Sequence, residues 1–377
     1  MNAHRSLILS GSIGQGHNSV AEVCAAALAQ VPSDAEILDC MEGLGGPGQR
    51  VGEFVFRKAL DRAPLYDALH FSQFRTGSRL AGAMERAAAQ RLTKALGRRT
   101  PSEGDLLLSV FATGAGAAGR LRQADPRWRT AVFCTDATAH RLWIHSGVER
   151  YFVCSSMAAA TVRQYEPLAD VVELPPPVRP QFFAAPTREV ARDNLGVEPG
   201  VPLALLMAGG WGLGPQVEVA RSLSAHGYLV AAVAGSNPAL AARLRHEALD
   251  TSQKGAVLPF GYTERVPELM AAADVVITTP GQTCHEARAV GRPLVVMDSV
   301  PGHGRENLLL EVMKGGTLAC LAQPESVAAA VDAVLDGRLP PAEPWPITSP
   351  GEWQAQFLAG IADLVGLEGH GTDQASR

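Results

Sequence analysis

The chain has 377 residues, 46% of them hydrophobic and 19% charged, with a formal net charge of −5. These values fit a globular protein long enough for two cores, and the negative balance excludes a general electrostatic pull toward nucleic acid. Six cysteines (Cys24, Cys40, Cys134, Cys154, Cys284, Cys320) are scattered without a Cys-x-x-Cys pair. That argues against a zinc site or a disulfide framework and for a reducing cytoplasm. The uncharged run 201–217 is broken by glycine and proline, so it does not read as a membrane span. The N-terminus enters a strand without a signal-peptide core, so the expected location is cytoplasmic.

Residues 6–10 read as an apolar strand, 11–18 as a Gly-rich loop and 19–29 as an Ala-rich helix. Gly11, Gly14 and Gly16 are wrongly spaced for a dinucleotide fingerprint. His17 stands at the mouth of this loop, at the carboxyl end of a strand, where open α/β sheets place function. Its plain alternative is a packing or capping role. Residues 35–39 form a second strand. Across 50–99 there are eleven Lys or Arg against four acids (Glu53, Asp61, Asp67, Glu85), with Phe54, Phe56, Leu65, Tyr66, Phe71 and Phe74 interleaved. The pattern fits equally an exposed basic helix face and a surface for anionic lipid or an anionic acceptor.

Strands at 105–111, 130–134, 151–154 and 170–174, with helices at 114–123 and 157–165, imply a mostly parallel sheet. Thr135-Asp136 closes one strand, with His140, Trp143 and His145 just beyond. Asp136 either caps the next turn or faces the same edge as His17. Pro175-Pro176-Pro177, Pro180 and Pro186 then form a stiff linker. After it the pattern restarts, with a strand at 203–208, a loop Gly209-Gly210-Trp211-Gly212-Leu213-Gly214, a strand at 228–234, a helix at 238–249 and a strand at 256–260.

The stretch from Asp274 to Asn307 organises this second half. It reads as a strand at 275–277, a small-residue turn at 278–282, a helix at 283–290 stopped by Gly291, and a strand at 294–297. A turn feeding a helix N-terminus presents unpaired backbone N–H groups to an anion, and Pro280 and Gly281 keep side chains away. A diphosphate is the natural guest. Glu286, on the first turns of the helix, is placed to accept hydrogen bonds from a ribose diol. Taken alone, the segment reads first as an ordinary βαβ unit with a capping Thr, because Gly-rich turns before helices are common. Residues 352–364 form a last amphipathic helix, and 369–377 a tail.

Several motifs are specific. Ala272-Ala273-Asp274-Val275-Val276-Ile277, Gly281-Gln282-Thr283, His285-Glu286-Ala287, Gly291-Arg292-Pro293 and Pro301-Gly302 resemble the donor lobe shared by monogalactosyldiacylglycerol synthases and the peptidoglycan N-acetylglucosaminyltransferase. Gly14-Gln15-Gly16-His17 is similar to the Gly-Gly-Gly-His loop of the diacylglycerol enzymes, and Thr135-Asp136 with Trp143 and His145 to their Thr-Asp…Trp-x-His segment. The resemblance is specific over 257–337, looser over 6–22 and 131–160, and weak over 41–125.

This resemblance implies an α/β fold of two Rossmann-like doubly wound domains facing across a cleft, the GT-B layout. The implied boundaries are an acceptor-binding domain over 1–175, a linker over 176–186, a nucleotide-sugar domain over 187–350, a C-terminal helix over 351–366 returning to the first domain, and a tail over 367–377. The implied activity is metal-independent, inverting transfer from a UDP-sugar to a hydroxyl of a lipid or small natural-product acceptor, with no cofactor and possible peripheral contact with an anionic inner membrane face. Uracil would lie near Gly261 and Tyr262, and the diphosphate on Gly209-Gly210 and Gly281-Gln282-Thr283. Ribose would lie on Glu286 and the sugar near Glu306 and Asn307. His17 would be the base, with Asp136 orienting or assisting it, and Gly16 and His145 would lie on the acceptor side. The acid Glu306 with Asn307 sits more like the Gln-Gln pair of the N-acetylglucosaminyltransferase than like the galactose-binding acid, which leaves N-acetylglucosamine and galactose both open. A nucleotide-sugar 2-epimerase and a non-catalytic sugar-nucleotide sensor are the competing readings.

Overall fold

A computed structural model describes residues 4–12, 15–43, 63–75, 77–97, 99–209, 212, 214–250, 252 and 254–366. The chain divides into two compact units, Met1–Pro177 with Ser349–Arg377, and Val178–Thr348. The expected tail, Gly14, Gly210 and residues 50–62 of the basic segment lie outside the described residues.

The first unit is built on six parallel strands: β1 (His4–Ser10), β2 (Ser33–Asp39), β3 (Leu106–Ser109), β4 (Arg129–Cys134), β5 (Arg150–Val153) and β6 (Asp170–Glu173). They lie in the order β2-β1-β3-β4-β5-β6. Helices α1 (Gly16–Leu28), α2 (Arg79–Leu96), α3 (Ala112–Ala124) and α4 (Ser156–Tyr165) connect them. A sheet covered on both faces needs consecutive apolar side chains rather than alternation, which Leu106-Leu107-Leu108 supplies. One core gathers Leu7, Leu9, Leu107 and Trp128, and another gathers Val132, Trp143, Tyr151 and Val153.

The second unit repeats the layering with β7 (Leu203–Met207), β8 (Leu229–Val233), β9 (Ala256–Phe260), β10 (Val275–Thr278), β11 (Leu294–Asp298) and β12 (Thr317–Leu321), all parallel. Their order is β12-β11-β10-β7-β8-β9. Its helices are α5 (Arg188–Leu195), α6 (Gln216–Ala225), α7 (Pro238–Glu247), α8 (Val266–Ala272), α9 (Gln282–Ala289), α10 (His303–Met313) and α11 (Pro324–Leu335). The two sheets share an architecture but not a strand order. The second follows the dinucleotide-domain pattern and the first the flavodoxin-like one.

The units part between Pro177 and Val178 and again between Thr348 and Ser349. The linker expected over 176–186 is shorter, because Val178 and Phe182 are buried in the core of the second unit and Pro180–Phe183 forms a helical turn. The prolines mark the crossing, and apolar burial claims the residues after it. The last helix, α12 (Pro350–Ile361), belongs to the first unit. Ser349 caps it by accepting from the Glu352 N–H at 3.2 Å, and Pro350 occupies its first turn, where a missing N–H costs nothing. Trp353, Phe357 and Ile361, one stripe at a spacing of four, are all buried. Phe357 meets Phe152 of β5 at 5.2 Å, and the Trp353 indole N–H donates to the Pro175 carbonyl at 2.9 Å. Arg150 reaches both Asp170 and Asp363 at 3.0 Å, fastening the end of this helix to the sheet.

Candidate active site

In the first unit the strand order reverses between β1 and β3, so the loops leaving their carboxyl ends part and open a crevice. Gly11 follows β1, and a Cβ there would lie 2.6 Å from the Phe111 ring that follows β3. Only glycine lets the two loops approach so closely. His17, on the first turn of α1, crosses this gap. Its Nδ1 lies 2.8 Å from the Val110 carbonyl, which can only accept, so Nδ1 carries the proton and Nε2 is the basic nitrogen. The ring is flanked by Phe111 at 5.2 Å and Trp143 at 6.3 Å. Gly16 is the first residue of the same helix.

Asp136 lies just past β4 and is fixed by its neighbours. Oδ2 accepts the Trp143 indole N–H at 2.8 Å and lies 3.5 Å from Nε2 of His140. Trp143 thus contacts both Asp136 and His17 and links the two residues. His140 also meets His70 edge-on at 5.9 Å, and His70 sits in a short π-helical turn, His70–Phe74. Such turns often occur at functional sites. His145 faces inward. Its Nε2–H donates to the Leu142 carbonyl at 2.8 Å, Glu85 lies 3.8 Å away, and burial pushes its pKa down. Its backbone N–H and carbonyl are both bonded to the Tyr151 hydroxyl, at 2.9 and 3.1 Å. In this state His145 holds its loop in place.

In the second unit the reversal falls between β7 and β10. Gly209 follows β7 with φ +64°, a left-handed backbone with nothing within 4 Å of where a Cβ would stand. Gly281 follows β10 and caps α9 in extended backbone, again with open space beside it. Gln282 and Thr283 begin α9, so the helix N-terminus and its orphan N–H groups face the crevice edge. Gly209 and Gly281, each with open space where a Cβ would stand, therefore flank one switch point. Gly261 and the exposed Tyr262 follow β9. Glu306, buried, and Asn307, half-buried, lie on the first turns of α10, which follows β11.

Glu286 is 3% exposed. Burial raises its pKa to about 6, although the Arg179 guanidinium opposes this. Arg179 donates from Nε and Nη2 to Oε1 alone, at 3.1 and 2.9 Å, so Oε2 has no share in the pair. One residue earlier, His285 turns away to stack on Trp345 at 5.6 Å. Its Nδ1 lies 3.7 Å from Glu311, and burial lowers its pKa to about 4. Glu311 is itself buried, but the charges of Arg288 and Lys314 around it outweigh that burial and keep it ionised.

Residues missed by sequence reading include Arg179, concealed in the proline-marked segment, and the Val110 carbonyl that holds His17. Among the described residues, no group of three or more His, Cys, Asp or Glu is placed to hold a metal ion. Nor is any helix there long and apolar enough to cross a membrane.

No family model matches the chain. Among curated proteins it is 28% identical over 205 residues to a processive diacylglycerol beta-glucosyltransferase of Bacillus licheniformis, covering 53% of each chain. It is 30% identical over 177 residues to the protein of the same name from Bacillus subtilis, covering 46% of each. The chain thus spans about half the length of the curated relatives it matches. Among solved structures it is similar to a glycosyltransferase from Rickettsia africae, with TM-score 0.57 and 13% identity over 98% of this chain and 100% of that one. MurG from Acinetobacter baumannii gives the same score and identity over 97% and 99%. HepE from Anabaena in complex with UDP gives 0.51 and 12% over 96% and 98%. At these identities the likeness is one of fold. The chain therefore has the α/β fold of the GT-B glycosyltransferases and resembles the diacylglycerol glucosyltransferases in sequence.

Proposed function

We propose that the protein transfers a hexose from a UDP-sugar to a hydroxyl of a lipid acceptor, inverting the anomeric carbon and using no metal. The observation that carries this reading is that the groups such a reaction needs fall on the two topological switch points. The donor loops at Gly209 and Gly281–Thr283 flank one, and His17 spans the other. The curated relatives' names support a diacylglycerol-type acceptor and make UDP-glucose the first donor to test, ahead of UDP-galactose and UDP-N-acetylglucosamine.

In this reaction the acceptor O–H gives its proton to Nε2 of His17 as its oxygen forms a bond to the anomeric carbon. The bond from that carbon to the diphosphate oxygen breaks, and the electron pair leaves with UDP. The α9 N-terminus and the backbone around Gly209 offset the departing charge, with Glu286 holding the ribose. Asp136, held by Trp143, shapes the pocket around the base, and Glu306 and Asn307 contact the sugar.

Incubation with the three UDP-sugars and diacylglycerol, followed by mass spectrometry, should give UDP and one glycosylated lipid. The yield should be unchanged in EDTA. Loss of activity on chelation with recovery on magnesium or manganese would overturn the metal-free mechanism. UDP-sugar consumption without a glycosylated product would favour the epimerase, and binding without consumption the sensor.

A lipid acceptor requires approach to a membrane surface. Arg79, Arg86, Arg91 and Lys94 are exposed along α2, and Phe71 is exposed in the turn before it. Binding to anionic vesicles should be measurable at low salt and fall steeply as salt rises. An absence of co-sedimentation at low salt would argue for a soluble acceptor.

A further inference from the structure

We infer that Arg179 is the positioning residue of the nucleotide site: it fixes the Glu286 carboxylate by one oxygen and presents the other to the ribose diol. The inference deepens the UDP-sugar reading and rests on it. A buried carboxylate recognises a diol only if it is ionised and its acceptor lone pairs point outward. Arg179 supplies both conditions. Nε and Nη2 converge on Oε1, which leaves Oε2 to accept from the two hydroxyls. The guanidinium is itself held, lying 5.0 Å over the Phe182 ring on the helical turn it opens, and Phe182 is buried in the core of the second unit. A planar fork stacked on an aromatic face is an arrangement that lysine does not reproduce.

The charged groups packed against α9 divide into two sets. Arg179 faces Glu286, whereas Glu311 of α10 and Lys314 just after it lie on the other side, with His285 and Arg288. Arg179 is thus the charge that Glu286 feels. The proton balance gives a direction. Below a pH of about 6 Glu286 is protonated and one acceptor lone pair becomes an O–H, so nucleotide affinity should fall as pH falls. Affinity should be fully present above that value. Without Arg179, burial acts unopposed and the fall should begin at higher pH, by about 1–3 pH units.

UDP-glucose is the suitable probe because its esterified diphosphate does not titrate in this range. Calorimetric affinity should be measured from pH 5 to 8.5 in the wild type, Arg179→Met, Arg179→Lys and Glu286→Gln, with folding checked by circular dichroism. The wild type should lose affinity with a midpoint near 6. Arg179→Met should move that midpoint upward, Arg179→Lys should restore it only in part, and Glu286→Gln should bind weakly with a flat profile. In Glu286→Gln, adding Arg179→Met should cost less than twofold more. A midpoint unmoved in folded Arg179→Met, or full recovery with lysine, would overturn the positioning role. Failure of the wild type to bind either UDP-glucose or UDP at any pH would instead overturn the donor reading, and this inference with it.

Discussion

His17→Ala is expected to leave UDP-sugar affinity nearly intact and to lower transfer by about 10²–10⁴-fold. The residue belongs to the first unit, whereas the proposed donor groups all belong to the second. Its Nδ1 bond to the Val110 carbonyl fixes the tautomer, so the substitution removes a basic nitrogen already aimed by the backbone. A histidine that merely packs against Phe111 and Trp143 would give a different result, with thermal stability, rate and affinity falling together. Turnover largely retained at neutral pH would move the base to the His140–Asp136 pair, where Asp136→Asn is the next variant.

Asp274→Ala should destabilise the second unit by about 3–5 kcal/mol, because it leaves a buried guanidinium without its counter-charge. Arg192 is 4% exposed and donates to Asp274 at 2.8 Å, to the Ala272 carbonyl at 3.0 Å and to the Val201 carbonyl at 3.0 Å. The same carboxylate accepts the Leu203 N–H at 2.8 Å and pairs with Arg188. It therefore ties together α5, the start of β7 and the start of β10, the two strands of the donor switch point. Denaturant titration followed by circular dichroism would measure the loss. Wild-type stability in Asp274→Ala would show that the charges are solvated instead of coupled.

Much of this architecture was legible locally. Val275-Val276-Ile277 and Leu203 to Met207 announce strands because side chains buried on both faces must be apolar at every position. The Thr-Pro-Gly turn before Gln282 announces the α9 N-terminus because only small residues leave those N–H groups uncovered. What escaped depends on distance along the chain. Arg179 and Glu286 stand 107 residues apart, and His17 and Val110 stand 93 apart. A pair of that kind leaves no periodicity to read, and a backbone carbonyl leaves no trace in residue identity at all. The proline run hid Arg179 further, since stiff residues suggest a spacer even where Val178 and Phe182 are about to enter a core. The different strand orders of the two sheets were equally unreadable, because strand content does not encode which neighbour a strand finds.

The C-terminal helix gives the order of synthesis a physical meaning. Phe133, Phe152 and Arg150 acquire their partners Trp353, Phe357 and Asp363 only after the whole second unit has left the ribosome. At synthesis rates of about 5–20 residues per second, the first unit waits on the order of ten seconds or longer with an apolar face uncovered. The second unit is contiguous in the chain and has no such wait. The part begun first is thus the part completed last, and a ribosome stalled before Ser349 would display a sticky, half-closed sheet to the chaperones around it.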